Sequence, residues 1–307
     1  GYHLSGLYRV MGKKRSDSSY LHEFAEGFLA AKHGGRETLQ VWINTFLAEP
    51  FEDKTERVEE MPILSRRENY GPELPDGVLC ITAAVDVHPD SLDVLVTGWG
   101  KREESWGLHV EELIGNVHKE DVWKRLEEVL NRRWQHPCGA SIPISICLVD
   151  SGDGNTQLTV YRFVRPRQIR RVFASKGVNL LGSPLAYASF PRGKIHEGMK
   201  LVMIGTDIAK STVYQRLKLT EPGNGFMHFP MSFTKEFFEQ AVSEEVRTQM
   251  VKGFARRVWI LPPGKRNEAL DLLSGNIAAY EILNPDVEIL ARRLSVVLVK
   301  HEKESQP

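Results

Sequence analysis

Two nearly continuous apolar runs, each ending in an aspartate, constrain the fold of this chain more than any other feature. The run at 78–85 leads into Asp86, and the run at 144–149 leads into Asp150. Apolar runs of this length are typical of strands that are buried on both faces in the centre of a sheet. Because sites form at the carboxyl ends of such strands, we expect Asp86 and Asp150 to be neighbours at one edge of the sheet.

The remaining segments predict an α/β protein with a mixed sheet flanked by helices. Alternating apolar residues follow the first run and predict an antiparallel meander at 92–97 and 106–113. Apolar residues at helical spacing predict helices at 121–130, 206–217 and 268–283. This order favours antiparallel strands on one side of the sheet and parallel strands on the other.

The organisation along the chain predicts three parts. Residues 1–76 hold a strand-like start at 2–10, two helical patterns and, at 50–77, a charged stretch with prolines that is typical of a linker. We expect the main domain at 77–290 and a polar tail at 291–307. No apolar run reaches the roughly 18 residues of a membrane span, so no membrane partner is expected.

A third carboxylate opens the helical pattern near the end of the chain. Asp271 and Glu268 are three residues apart, which places them on one helix face. Three carboxylates that meet repel one another unless a cation neutralises them, and oxygen ligands favour Mg²⁺ or Mn²⁺. Two such ions ~4 Å apart activate water and stabilise the leaving oxygen of a phosphodiester. Asp86, Asp150 and Asp271 are therefore candidate ligands of a hydrolytic metal centre.

A structural interpretation of the same residues stays open. An aspartate that follows a strand is often a turn former or a helix cap. Asp153, three residues after Asp150, is either an auxiliary ligand or a turn residue, and Glu268 either supports the metal or caps its helix. The three cysteines have no CxxC spacing, which gives no indication of a zinc site or a disulfide framework.

An ordered series of short segments runs along the chain: His3–Tyr8, Trp42–Pro50, Ala84–Val87, Leu92–Val94, Gly98–Gly100, Val149–Gly152, Ser175–Gly177, Gly223–Pro230 and Arg266–Asp271. This series resembles the nuclease domain of the large terminase subunit of lambda-like tailed bacteriophages, the GpA family. The segment Arg266–Asp271 is the most specific of them, and the order of the whole set is more specific than any single segment.

The resemblance implies an RNase H-like fold and two-metal cleavage of double-stranded phage DNA during genome packaging, with catalytic roles for Asp86, Asp150 and Asp271. It also implies that residues 1–76 include the segment leaving an ATPase domain, that the full-length protein works with a small terminase subunit and a portal, and that it acts in the host cytoplasm. The chain contains no GxxxxGK[ST] phosphate loop, so we expect no ATP hydrolysis by this chain alone. Asp153 departs from the family pattern, in which a non-acidic residue follows Asp-Ser-Gly, and this leaves the ligand set around Asp150 open.

A contact surface for DNA must be local, because the 40 lysines and arginines equal the 40 aspartates and glutamates. Residues 154–196 contain no acidic residue, and this stretch predicts a positive field beside Asp150 that would bind phosphates without sequence preference. A solvated basic face is the alternative explanation. The candidate DNA contacts are Lys176, Arg165, Arg167, Arg170, Arg171 and Lys210.

Two other functions are compatible with the sequence. A junction-resolving nuclease of the same fold would use the same carboxylates on a branched substrate. A non-catalytic DNA-packaging adaptor, docking on the portal or the small terminase subunit, would not need them. The intact set of Asp86, Asp150 and Asp271 argues against the adaptor.

Overall fold

The computed structural model describes residues 17–34, 36–48, 63–180, 182–193, 195, 197–251 and 254–304. The chain divides into two compact units. One comprises Gly1–Glu56 and Glu245–Ile260, and the other comprises Arg57–Glu244 and Leu261–Pro307. The candidate site lies in the second unit.

Helices and groups of strands follow one another along the described chain. The helices are α1 (Asp17–His33), α2 (Arg36–Trp42), α3 (Glu120–Asn131), α4 (Gln157–Val164), α5 (Thr206–Leu217), α6 (Lys235–Ala241), α7 (Glu268–Leu283) and α8 (Val287–Glu304). The strands are β1 (Arg67–Glu68), β2 (Cys80–Val87), β3 (Ser91–Trp99), β4 (Ser105–Ile114), β5 (Arg133–Gln135), β6 (Ser141–Asp150), β7 (Val172–Val178), β8 (Ala186–Ser189), β9 (Leu201–Gly205), β10 (Met227–Pro230), β11 (Glu245–Val251) and β12 (Phe254–Ile260).

One large mixed sheet forms the centre of the second unit. Its strand order is β1-β10-β4-β3-β2-β6-β7-β9-β8, and β5 pairs with β6 outside this path. The strands β2, β3 and β4 are antiparallel, whereas β6 and β7 run parallel to β2. An antiparallel meander followed by parallel strands on the far side of its first strand is the RNase H-like order. The predicted fold class is confirmed.

The central strands bury both faces, as their apolar runs predict. The larger hydrophobic cluster includes Ala83 and Val85 of β2 and Val149 of β6, together with residues of α3 and α4. The smaller cluster includes Ile146 and Leu148 of β6 and residues of α7. Because successive side chains alternate between the faces of a strand, each run fills two cores at once.

Helix α7 lies close against β2, and a buried polar group fixes its position. Asn276 is 1% exposed; its side-chain oxygen accepts a hydrogen bond from the Thr82 hydroxyl (2.7 Å), and its amide donates to the Leu95 carbonyl (3.0 Å). At Gly275 the helix approaches so closely that an added Cβ would lie 2.9 Å from the Cβ of Ala84. The carboxyl half of β2 thus faces the first turns of α7.

Parts of the predicted linker and of the predicted tail have regular structure. Within the predicted linker, β1 pairs with β10 and the side chains of Ile63 and Leu74 are buried. Residues 291–304 of the predicted tail belong to α8, which extends to Glu304, and Leu294 packs against the larger cluster. Residues 2–10 and 50–62 lie outside the described residues.

The first unit contains the two helices predicted near the start of the chain and the hairpin of β11 and β12. Trp42 of α2 packs against Phe24 and Phe28 of α1, with ring centroids 4.8 and 5.2 Å apart. The hairpin pairs Glu245 with Ile260 in antiparallel register. The sequence placed residues 245–260 inside the main domain, whereas they group with this unit.

Candidate metal centre

Three aspartates from distant parts of the sequence line one pocket at the carboxyl edge of the sheet. Asp86 comes from β2, Asp150 from β6 and Asp271 from α7. The pocket has a volume of about 270 Å³, and its wall also includes Ser175 and Lys210. The structure therefore brings together the three residues predicted as the site.

Strand register explains why the three carboxylates meet. Val85 pairs with Val149 across the parallel strands, so the next residues, Asp86 and Asp150, lie side by side on the face that α7 covers. On the helix, Asp271 lies about one turn before Gly275, which contacts β2 at Ala84. Moving one turn toward the start of α7 corresponds to moving from Ala84 toward the end of β2, where Asp86 lies.

Burial and mutual repulsion act on the acidity of the pocket. Burial and the neighbouring Asp86 carboxylate raise the pKa of Asp150 to about 6, against the opposing hydrogen bonds from the backbone N–H groups of Gly152 and Ser151. Burial also raises the pKa of Asp271 to about 6; Lys210 opposes this shift, and Asp86 adds to it. Negative charge at the pocket is therefore energetically unfavourable without a cation.

Two cationic side chains partly neutralise the negative charge of the pocket. The Lys210 ammonium lies 3.0 Å from an Asp271 oxygen, and although burial opposes it, Asp271 and Glu244 raise the pKa of Lys210. The His88 imidazole lies 3.4 Å from Asp86 and 3.2 Å from Asp93. These two carboxylates outweigh burial and raise the pKa of His88 to about 10.

The donor chemistry of the pocket fits a hard divalent cation held partly by water. Carboxylate oxygens suit Mg²⁺ and Mn²⁺, and Mg²⁺ usually takes one or two carboxylates, several waters and substrate phosphates. Within the part of the chain that the structure describes, no three histidine, cysteine, aspartate or glutamate side chains are close enough together to hold one ion. The aspartates thus line the wall of an open pocket and leave room for other ligands.

The two further ligand candidates, Asp153 and Glu268, do not line this pocket. Asp153 is exposed, and its carboxylate accepts a hydrogen bond from the backbone N–H of Asn155 (3.1 Å), as a turn residue does. Glu268 accepts a hydrogen bond from Arg266 Nε (2.9 Å), while its other carboxylate oxygen is buried without a hydrogen-bond partner. Their placement favours the structural interpretation of Asp153 and gives Glu268 no contact with the pocket.

Among the basic candidates, only Lys210 lines the pocket. Lys176 follows Ser175 on β7, and strand alternation places it on the opposite face, where Ala174 joins the larger cluster. Its neighbours Ser175 and Gly177 line the pocket instead.

The arginines that follow α4 lie at the other end of β7. They occupy a 3₁₀ helix, Arg165–Arg170, and the turn at Arg171, just before the strand begins at Val172. Asp150 pairs with Ser175, near the other end of that strand. The structure does not bring Arg165, Arg167, Arg170 or Arg171 to the pocket wall, and their contact with DNA stays a prediction.

Sequence reasoning missed residues that contact the aspartates directly or through Lys210. His88 had a usable signal, since it lies two residues after Asp86 and thus on the same strand face. Glu244 and Asn267 had none, because their contacts with Lys210 and Asp271 depend on how α5, α6 and α7 pack.

None of the helices among the described residues is long and apolar enough to cross a membrane.

Comparisons with known proteins give one family and a small set of relatives. The model of the family described as "Terminase large subunit gpA, endonuclease domain" matches residues 1–292. The terminase large subunit of Escherichia phage lambda is 34% identical over 257 residues, which cover 81% of this chain and 39% of that protein. That of Enterobacteria phage P21 is 27% identical over 276 residues, 87% of this chain and 42% of that protein. The chain spans about two fifths of the length of these relatives.

Two solved structures overlap with the chain at low similarity. The nuclease domain of the bacteriophage SPP1 large terminase g2p with bound Mn gives a TM-score of 0.31 at 13% identity, over 75% of this chain and 94% of that chain. The HK97 bacteriophage large terminase gives a TM-score of 0.38 at 12% identity, over 88% of this chain and 52% of that chain.

Proposed function

We propose that this chain, which belongs to the family of terminase large subunit gpA endonuclease domains, is a metal-dependent endonuclease. Its proposed substrate is double-stranded phage DNA during genome packaging. The observation that carries the proposal is the meeting of Asp86, Asp150 and Asp271 in one pocket at the carboxyl edge of the sheet. Sequence similarity and site geometry support it independently, because the pocket follows from register and packing.

The three aspartates are the proposed catalytic residues and metal ligands, and they would hold two Mg²⁺ or Mn²⁺ ions. When bound, such a pair of ions supplies an activated water and stabilises the leaving oxygen of the phosphodiester. The protein holds the ligands in place: Asp86 accepts a hydrogen bond from the N–H of Val87 (2.9 Å), and Asp150 accepts one from the N–H of Gly152 (3.1 Å). No protein nucleophile is required.

The substrate contacts and partners extend the proposal. Lys210 is the basic residue best placed to approach a phosphate, since it belongs to the pocket wall. Lys176, Arg165 and Arg171 would then contact DNA farther from the bond that is cut, whereas the pairing of Arg167 and Arg170 with Glu127 favours a structural role for these two arginines. In the full-length protein we propose a small terminase subunit and a portal as partners, an ATPase domain next to residues 1–76 and the host cytoplasm as the place of action.

Cleavage of plasmid DNA tests this function. We expect the protein with Mn²⁺ to nick supercoiled plasmid, and Asp86→Asn or Asp150→Asn to lower the rate about a thousandfold or more, because a hydrolytic metal centre supplies several kcal/mol. Asp153→Asn is the matched control, since Asp153 lies outside the pocket, and it should cleave like the parent.

Three outcomes would contradict the proposal or redirect it. Absence of cleavage by the parent, or equal cleavage by Asp86→Asn and the parent, would contradict a metal-dependent nuclease at this pocket. Binding of DNA without Mn²⁺ or Mg²⁺ binding in calorimetry would favour the packaging adaptor. Cleavage of branched junctions in strong preference to linear duplex would favour the junction-resolving enzyme.

A further inference from the structure

A buried ion pair lies directly behind Asp271. The Lys210 ammonium, on α5, lies 2.5 Å from an oxygen of Glu244 and 3.0 Å from an oxygen of Asp271. The Glu244 side chain is 5% exposed and that of Lys210 12%, whereas that of Asp271 is 39% exposed. Glu244 is thus the hidden partner of a lysine that also contacts a pocket aspartate.

Asn267 connects the same two carboxylates. Its side-chain amide donates to Glu244 Oε1 (2.7 Å) and to Asp271 Oδ2 (2.8 Å). Both oxygens of Asp271 therefore contact a donor, Lys210 on one side and Asn267 on the other, and Glu244 holds both donors. Because each carboxylate oxygen has two lone pairs, each oxygen of Asp271 keeps one for another ligand.

The charges of this group matter as much as its geometry. If Lys210 faced Asp271 alone, the ammonium would neutralise the carboxylate and oppose the binding of a second cation. Glu244 supplies a closer countercharge to Lys210. The group of Lys210, Glu244 and Asp271 therefore keeps a net negative charge toward the pocket.

We propose that Glu244 is a positioning residue for the metal centre: through Asn267 it fixes the Asp271 carboxylate, and by balancing the charge of Lys210 it keeps Asp271 available to a divalent cation. This inference rests on the proposed function, in which Asp271 is a metal ligand. It adds a role for a residue that does not line the pocket.

A purely structural role for Glu244 makes a different prediction. If the ion pair only stabilised the fold, removing either partner would lower the stability of the protein, because the other charge would be left uncompensated. The affinity of the folded protein for metal would then be unchanged in both variants. The proposed role predicts changes in metal affinity, with opposite signs for the two partners.

Calorimetric titration of the whole chain with Mn²⁺ separates the two roles. Glu244→Gln keeps the size and the acceptor oxygen but removes the countercharge, and we expect it to weaken Mn²⁺ binding about tenfold, as loss of a partner that supports a ligand does. Lys210→Met removes the competing cation and should strengthen binding. The double variant that carries both Glu244→Gln and Lys210→Met should bind Mn²⁺ with an affinity close to that of the parent.

Glu239→Gln is the matched control. Glu239 also pairs with a lysine, Lys235, at 2.5 Å, but on the exposed side of α6, so its Mn²⁺ affinity should equal that of the parent. Asn267→Ala leaves the pair of Lys210 and Glu244 intact, so this variant should fold even if Glu244→Gln does not. It should weaken Mn²⁺ binding because it frees one oxygen of Asp271.

The results that overturn the inference are distinct from those that overturn the nuclease. Parent-like Mn²⁺ affinity in Glu244→Gln or in Asn267→Ala, or weaker binding in both Glu244→Gln and Lys210→Met, would refute the role of Glu244. If the parent binds no Mn²⁺, or if Asp271→Asn binds it equally well, the proposed metal centre itself fails. Loss of binding in Asp271→Asn with parent-like binding in Glu244→Gln refutes only the role of Glu244.

Discussion

The acidic pocket and the arginine segment at 165–171 differ in how their charges come together. The pocket gathers three aspartates that are far apart in sequence, whereas the arginines are nearly contiguous. In the pocket, burial and, to a smaller extent, the facing like charges raise the pKa values of Asp150 and Asp271 to about 6. In the segment, Arg167 and Arg170 both pair with Glu127 of α3 at 2.5 Å.

The pocket therefore carries charge that is left unbalanced, whereas the charges of Arg167 and Arg170 are balanced by Glu127. Arg170 also donates to the side-chain oxygen of Asn131 (2.7 Å), and Arg167 stacks over Phe163 at 4.1 Å. Such contacts tie the segment to α3 and α4. Unbalanced charge in a pocket indicates a site for a ligand, and satisfied charge indicates a structural contact.

The close approach of α7 provides the sharpest test on the pocket side of the comparison. Gly275→Val would force the helix away from Ala84, where even an added Cβ lies at 2.9 Å. Overpacking of this kind costs about 1–3 kcal/mol of unfolding free energy, and displacement of a catalytic group by ~1 Å lowers the rate about a hundredfold. We expect plasmid nicking to fall by about that factor while circular dichroism still shows a folded chain.

Gly154→Val is the control for this substitution. No atom lies within 4 Å of a Cβ added at Gly154, so both the rate and the stability should remain those of the parent. Parent-like nicking by Gly275→Val would show that the position of Asp271 relative to β2 does not matter for cleavage.

The raised pKa values predict a smaller effect that depends on pH. Between about pH 4 and pH 6 the folded, metal-free protein binds more protons at Asp150 and Asp271 than the unfolded chain does. Stability without metal should therefore fall as pH rises through this window. Asp271 contributes less, because its side chain is 39% exposed and solvent screens it.

Thermal unfolding in the presence of a chelator measures this effect. Asp150→Asn should flatten the dependence of the melting temperature on pH, and Asp153→Asn should leave it as in the parent. Mn²⁺ should stabilise the parent more above about pH 6 than below it, because carboxylate ligands must be deprotonated to bind. Parallel profiles for the parent and Asp150→Asn would contradict the assignment of the raised pKa.

The arginine segment gives the smallest expected effect. Replacing Arg167 and Arg170 by alanine should lower the free energy of unfolding by about 1 kcal/mol or less for each pair, since both pairs with Glu127 are partly exposed. The salt dependence of DNA binding should not change. A decrease of about one in the slope of log affinity against log salt for each arginine would instead show phosphate contacts and remove the contrast with the pocket.

Local patterns in the sequence predicted the strands that carry the site. The runs before Asp86 and Asp150 fill both faces of central strands, so their strand type and their central position follow from the local apolar pattern. The short edge strand β8 was not predicted, because its largely exposed residues show no apolar alternation. Edge strands leave weaker signals in a sequence than buried ones.

Proximity in sequence misled the placement of the basic residues. Arg165 follows Asp150 closely in the sequence, but α4 intervenes and carries the chain to the opposite end of the parallel strands. The role of Glu244 was equally hidden, since its contact with Lys210 joins residues 34 positions apart. Both features depend on packing between elements, which no local pattern encodes.

The buried amide of Asn276 has a consequence for how tightly the geometry of the proposed metal centre is specified. Apolar side chains alone tolerate a helix that slides along a sheet, but a shift by one residue would turn α7 by about 100° and carry Asp271 out of the pocket. Any such shift would also break the hydrogen bonds of Asn276 with Thr82 and Leu95 and leave their polar groups buried without partners. A single side chain, deep in the core and without any charge, thereby selects one alignment of α7 from those that hydrophobic packing would accept.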